Sequence, residues 1–461
     1  MINYNKQKGE PMMQPKLRMQ SIVIPFPCEP FEVVGNSIEG DELHIAFEEK
    51  GEAPECPECG GRMHVHQHRT VRLRALPVDR YKVVWWDVGK VVWRCPECGL
   101  CAGRSMPFRY PGSRMTVPLA KEICGRIDDQ GSTVGRVARD LRLGWDAVKD
   151  VHKRFLREVE RRRPRPSAPQ VCVVDEFSIR RGHTYATLVI DGRTKEPLHL
   201  AEGNTKESFE PFFSLYGEEF YEGIGAFAMD QNAQYDRVAK ERLPSAPCVS
   251  DPFHMLKNYS DQVLDKVRLR AARGFRSDGD MDSYRLFKRG KGLEKMDRPD
   301  RESDGLEAFL ARRGLRRLME LNKDMDTAVH MRDSLRWMYA NCRTREDMEK
   351  RWDAWVAMAK ESGIKELASY ASNKDRYYRE NILAHAEHPV SSGVIEGCMN
   401  RIKVLKRTAF GFRDTAYFFL RIKYMFLPQS VRQPIWNAIW TDYGCPDLLP
   451  SSHPLEQQKT G

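Results

Sequence analysis

The sequence lacks any apolar run near the roughly 18 to 20 residues that a membrane-spanning helix needs. Its N-terminus, MINYNKQKGEPMMQPKLRMQ, also lacks the apolar segment of a signal peptide. These absences predict a soluble, cytoplasmic chain with no membrane partner. No internal repeat of fixed period is present, which excludes a repeat array. An acidic excess is missing too. Lys plus Arg is 75 and Asp plus Glu is 65, so the chain is basic by +10. That balance suits a polyanion partner without proving one. Hydrophobic residues at 41% and aromatics at 10% exclude wholesale disorder. At roughly 150 residues per domain, 461 residues suggest about three domains.

Cysteine is sparse except in one stretch. Five of the 12 cysteines are Cys56, Cys59, Cys95, Cys98 and Cys101. A disulfide framework is a poor reading for a long chain without a secretion signal. CPECGG and CPEC each set two thiolates three positions apart on a tight turn, and two such knuckles make a closed tetrahedral zinc site. Cys56, Cys59, Cys95 and Cys98 are the expected ligands. Cys101, or one of His64, His66 and His68, stays open as a substitute. Strand-like alternation between the pairs describes a zinc ribbon over 54–110, with a structural ion in place of a large core. Arg62, His64, Arg69, Arg72 and Arg74 could reach DNA. Coincidental buried cysteines are the bland alternative.

The segment 1–53 is expected to hold a short strand pair (SIVIPF, ELHIAF). In 111–165, Val134, Val137, Ala138 and Leu141 share one helical face, and Leu143-Gly144 supplies a turn. Trp145, Val148, Val151, His152 and Phe155 mark a second helix. This is the layout of a helix-turn-helix, and equally of an ordinary helical hairpin. In the first case Asp146, Lys149, Asp150, Lys153 and Arg154 face outward. The following basic linker, with Arg161, Arg162, Arg163 and Arg165, suits phosphate contact or is a solvated charge run.

Between 171 and 260 the order reads as three meandering strands, then strands separated by helices, which makes a mixed sheet. VCVVDEF ends a buried strand near Asp175, GIGAFAMD ends one at Asp230, and APCVSD ends one at Asp251. Acids at adjacent strand ends can share divalent metals. Asp191 is assigned to a hairpin turn. Residues 261–390 are charged and helical in pattern. Residues 391–428 contain a basic helix with Glu396, the best third carboxylate. Lys403 lies two turns further on, and Arg401, Lys406 and Arg407 add positive charge for a DNA backbone. The tail 429–461 has prolines and no clear pattern.

With these motifs assembled, the chain resembles bacterial insertion-sequence transposases of the ISL-three family. The resemblance rests on VDEFSIRRGHTYATLVID, AMDQNAQYDRVAKE, VSDPFHMLK and SSGVIEGCMNRIKVLKRTAFGFRD, and on the two cysteine pairs. It implies an α/β multidomain protein: zinc ribbon, helix-turn-helix, and a ribonuclease-H-like core interrupted by a helical insertion. It implies an acidic triad of Asp175, Asp230 and Glu396 holding two Mg²⁺ or Mn²⁺ ions, beside the structural zinc. The implied activity is metal-dependent DNA cleavage and strand transfer. The implied partners are terminal inverted repeats, target DNA and a second copy of the chain on DNA, with nucleoid association while bound. A sequence-specific DNA-binding regulator derived from a transposase is the alternative, and a nuclease or resolvase without strand transfer is another. The GHTY and DPFH segments carry no assigned role, and Asp251 could cap a helix or assist the metals.

Overall fold

The computed structural model describes residues 29–180, 182, 184–230, 232–292, 306–389 and 392–445. The chain divides into two compact units, 1–164 with 408–461, and 165–407.

The first unit opens with β1 (Phe31–Glu39) and β2 (Glu42–Glu49), joined at Gly40 with φ +63°, a turn conformation that suits glycine. Then come β3 (His64–Ala75), β4 (Val83–Arg94) and the short β5 (Cys101–Ala102). They form one five-stranded sheet, ordered β1-β2-β4-β3, with β5 on β4. Here β2 runs parallel to β4, so the N-terminal strand pair and the cysteine-bearing strands share a single sheet. The expected ELHIAF strand is present as β2. Its partner is Phe31–Glu39, while SIVIPF lies outside the described residues. Leu43, Ile45, Phe47, Leu73, Val84, Trp86 and Val88 bury one face against Phe108.

Three helices follow: α1 (Val117–Asp128), α2 (Val134–Asp140) and α3 (Trp145–Arg162). Pro118 suits the first turn of α1, where its missing N–H costs nothing. Thr133 caps α2 by accepting from the Arg136 amide at 3.2 Å. The α2 terminus closes with Arg142 in the left-handed region, φ +51°, and with Leu143 N–H donating to the Ala138 carbonyl at 2.8 Å. Val137, Ala138, Leu141, Val148, Val151 and Phe155 form the buried seam between α2 and α3. Trp145, expected to mark the second helix, begins α3 and is 50% exposed. It lies at the first turn of α3, on the flank that carries Lys149, whose ammonium sits over its ring.

The second unit begins with β6 (Val171–Arg180), β7 (Thr184–Asp191) and β8 (Pro197–Glu202). Short helices α4 (Lys206–Phe209) and α5 (Glu218–Glu222) precede β9 (Ala226–Met229), and α6 (Ala233–Arg242) precedes β10 (Cys248–Ser250). The sheet order is β10-β9-β6-β7-β8. The first three strands pair antiparallel, while β9 is parallel to β6 and β10 to β9. This is the expected mixed sheet. Asp191 accepts from the amides of Arg193 and Thr194 at 2.7 and 3.1 Å, as a turn residue should. One face is filled by Cys172, Val174, Val189, Phe209, Phe212, Phe227 and Val238.

Helices α7 (Pro252–Tyr259), α8 (Asp265–Ser277), α9 (Met281–Arg289), α10 (Leu306–Leu321), α11 (Lys323–Asn341), α12 (Arg345–Glu361) and α13 (Lys365–Leu383) make a helical body. It has its own core, centred on Trp352 and Trp355, whose rings stack at 5.2 Å. Helix α14 (Ser392–Thr408) then returns to the strand-end acids.

The chain ends in the first unit with α15 (Thr415–Phe426) and α16 (Gln429–Asp442). The stretch that showed no pattern therefore carries a helix. Pro434 stands within α16, and Ile435, Trp436, Ile439 and Trp440 are buried with α1 and α3. Periodicity in QSVRQPIWNAIWTD is confined to its second half, which is why the sequence alone left it unassigned.

Candidate active site

Asp175 lies on β6 just past Val174, which is paired with Met229, the last residue of β9. Asp230 follows Met229 directly. Ser250, the last residue of β10, is also paired with Met229, and Asp251 follows it. The strand expected to end near Asp175 runs on to Arg180, so parallel pairing sets Asp175, inside β6, level with Asp230 and Asp251, which follow the ends of β9 and β10. The Asp251 amide donates to the Met229 carbonyl at 3.3 Å, which fixes that edge.

Asp251 is 2% exposed and caps α7, accepting from the Phe253 amide at 2.8 Å. The cap orients the first turn of α7 and so places His254. The Nδ1 of His254 is 2.9 Å from Oδ2 of Asp230, and its Nε2 is 3.9 Å from Oδ2 of Asp251. Burial would depress the imidazole, but the hydrogen bond and charge of Asp230, with Asp251 and Asp175 beyond, lift its pKa above the usual 6.5. Asp175 is pushed up to about 6, first by burial and then by the charges of Asp230 and Asp251, against the Glu176 amide and His254. Burial also raises Asp251.

Asp175, Asp251, His254, Glu396, Asn400 and Lys403 line one cleft of about 420 Å³. Glu396, Asn400 and Lys403 recur at helical spacing along α14, while Cys398 and Ile402 are buried. Lys406 donates to the Ser178 carbonyl at 2.7 Å and so ties α14 to β6. Asp175, Asp251 and Glu396 line this cleft, Asp230 is not among its lining residues, and the acids do not close on one point. Among the described residues, only the four cysteines bring three or more ligand atoms within 4.8 Å of one another.

Those cysteines are the pair-of-knuckles set. The Sγ of Cys56 is 3.5 Å from that of Cys98, and Cys59 is 3.4 Å from Cys95. A tetrahedral site with bonds near 2.3 Å needs sulfurs about 3.8 Å apart, so the four fit an ion with little movement. Cys101 stands outside the cluster, its thiol toward the Gly99 carbonyl, and His64, His66 and His68 lie along β3.

The family model described as Transposase, of the ISL3 DDE type, matches residues 172–422. The transposase for insertion sequence element IS1001 of Bordetella parapertussis is 32% identical over 390 residues, covering 84% of this chain and 92% of the relative. The chain belongs to the ISL3 family of transposases. The transposase for insertion sequence element IS1557 of Mycobacterium tuberculosis is 27% identical over 368 residues, covering 72% of this chain and 81% of that relative.

The basic residues expected to meet DNA are placed unevenly in this transposase. Lys153 is 2.6 Å and Lys149 4.0 Å from Asp414, and Lys149 also pairs with Asp146 and Asp150. Arg154 donates to the Gly112 carbonyl. Arg161 and Arg162 both reach Glu158, and Arg163 lies 3.8 Å from Glu160. The partner of Lys149 and Lys153 was hidden from the sequence, because Asp414 comes from far along the chain, whereas Glu158 lies within one turn of Arg161 and Arg162. Arg401, Lys403 and Arg407 are exposed on α14. The GHTY segment is described only in part, His183 lying outside the described residues.

Two residues went unassigned in the sequence. One is His254, whose signal was its spacing of three from Asp251 at a helix start. The other is Lys374 on α13. It is 7% exposed, with its ammonium 5.3 and 5.1 Å from the ring centres of Tyr370 and Tyr378. Burial lowers its pKa to about 8, against the pull of Asp230. Nothing local distinguishes it from a surface lysine.

Proposed function

We propose that this chain binds the terminal inverted repeats of an insertion sequence and catalyses cleavage and joining of DNA at a site built on Asp175, Asp230 and Glu396. The observation that carries the reading is that parallel pairing of β6 and β9 sets Asp175 level with Asp230, and that Asp175 and Glu396 line one cleft. The sheet order, with three antiparallel strands extended by two parallel ones, supports a ribonuclease-H-like core. Residues 261–390 are then its helical insertion, and 391–428 bring its last helix. The strand pair and knuckles support a zinc ribbon held by Cys56, Cys59, Cys95 and Cys98, and 111–165 a helix-turn-helix.

The carboxylates suit hard divalent cations. Asp175 stays above the ordinary carboxylate range through burial and like charge, a cost that a bound cation would relieve. Two Mg²⁺ or Mn²⁺ ions at such acids supply an activated attacking oxygen and stabilisation of the leaving one. The chain's own contribution is position. β6 and β9 fix the aspartates, α14 brings Glu396, and Lys403 sets a positive charge beside the cleft for a phosphodiester. His254 holds the Asp230 carboxylate. Two copies pairing two element ends follow from this reading, and a strictly monomeric synaptic complex would contradict it.

The test is a cleavage and joining assay on a labelled duplex carrying the element's end, with Mg²⁺ or Mn²⁺. Nicking at the boundary and joining to target, both lost in Asp175→Ala and Glu396→Ala, is the expected result. Specific binding with no cleavage by the unsubstituted chain would instead mark a DNA-binding regulator.

A further inference from the structure

A cleft of the first unit, about 580 Å³, is lined by arginines from three separate elements. Arg72 and Arg74 come from β3, Arg114 from the segment before α1, and Arg142 from the turn between α2 and α3. Trp85 and Glu42 complete the part that matters here. In the lining, four guanidinium groups oppose one carboxylate.

The cleft is built rather than incidental. Arg74 is 4% exposed, and its guanidinium donates to the carbonyls of Lys82, Val84 and Leu141 at 3.0, 3.2 and 2.9 Å. The first two are beside or on β4 and the third ends α2, so one buried side chain joins the sheet to the helical turn. The backbone adds to this: Arg74 N–H donates to the Arg114 carbonyl at 2.8 Å, and Thr116 N–H to the Arg74 carbonyl at 2.9 Å. Arg142 sits at φ +51°, a region L side chains seldom adopt, where glycine or asparagine is usual. An arginine there turns its side chain onto the cleft wall.

The three outer arginines remain available. Arg114 has no carboxylate within 4.0 Å among the described residues. Arg72, itself 58% exposed, pairs with Asp87, which is 20% exposed, while Arg142 pairs with Asp41, both side chains being more than half exposed. Exposed pairs of this kind are weak and exchange readily. A guanidinium fork matches two phosphate oxygens at once, and Val83, Trp85, Met115 and Leu143 add apolar surface to the lining.

We propose that this cleft seats the sugar-phosphate backbone of duplex DNA, clamping it between the sheet and the α2–α3 turn through Arg72, Arg114 and Arg142. The proposal rests on the reading that the chain acts on DNA, and it assigns that reading a contact surface distinct from the acidic cleft. Phosphate contact carries no base information, so the clamp would set register and leave sequence choice to other residues.

The experiment uses the full chain carrying Asp175→Ala, so that DNA stays intact, and a fluorescent duplex bearing the element's end. Binding is measured by anisotropy across a salt series, for the parent and for Arg114→Ala with Arg142→Ala. The double variant should bind more weakly to end and unrelated duplexes alike, and its log-log salt slope should fall by about two, near one per lost phosphate contact. Lysine at both positions should restore most of the slope. Zinc content and melting temperature report that the fold is kept. An unchanged slope, or a loss confined to the end sequence, overturns the clamp. Failure of the parent to bind any duplex would instead bring down the functional reading on which it rests.

Discussion

His254 holds its Nδ1 2.9 Å from Oδ2 of Asp230, across the end of the sheet from Asp251, the cap of its own helix. A ring held this way helps to orient the Asp230 carboxylate. Partners that orient metal-binding side chains typically contribute about 10- to 100-fold in metal affinity or activity. His254→Ala should therefore lower cleavage by that range and raise the Mn²⁺ concentration needed for half-maximal activity. His254→Asn should recover part of the loss. Cleavage at the unsubstituted rate and the same metal dependence in His254→Ala would assign the contact to packing alone.

The knuckle cluster makes a separable prediction. Metal analysis of purified protein should find one zinc per chain, lost in Cys95→Ser and retained in Cys101→Ser, because Cys101 lies outside the four-sulfur group. Zinc bound only by the folded form adds to stability. Cys95→Ser or a strong chelator should thus lower the melting temperature of the first unit. Retention of stoichiometric zinc by Cys95→Ser would remove that residue from the ligand set.

His152 gives the first unit a pH dependence. It is fully buried, with Nε2 2.9 Å from Oδ2 of Asp128 and Nδ1 2.6 Å from the Tyr417 hydroxyl. Burial holds its pKa below the ordinary 6.5, outweighing the favourable charge of Asp128. The unfolded chain therefore binds this proton more readily than the folded one. Its contribution to stability is complete above about pH 6.5 and is lost as pH falls from there through the folded pKa. Urea midpoints should decline as pH falls below about 6.5, and the decline should flatten in His152→Gln. An identical pH profile in the variant would assign the slope to other groups.

Trp440 tests the C-terminal return. It is 0% exposed and lies parallel to Phe155 at 5.7 Å, joining α16 to α3. Trp440→Ala should cost about 3 to 5 kcal/mol by denaturant unfolding. Trp440→Phe should cost less, because the buried Nε1 has no hydrogen-bond partner among the described residues. A negligible change in Trp440→Ala would mean that α16 adds little to that core.

Local chemistry was legible in the sequence. Thiolates three apart on turns chelate, so CPEC and CPECGG announced their cluster without any knowledge of the fold. Apolar runs ending in acids announced strands that deliver Asp175, Asp230 and Asp251, and Asp191 beside a glycine announced a turn. Each signal depends only on neighbours within one or two turns of chain. The tertiary structure decided what those signals could not encode. It ran β2 parallel to β4 and so merged the N-terminal strands with the cysteine module. It set β9 between β6 and β10, which turned three separate acids into one edge. It brought Asp414 to Lys149 and Lys153, and Tyr417 to His152, from a segment that follows the entire second unit. Such pairings are chosen by which apolar faces bury each other, and that choice depends on distant segments.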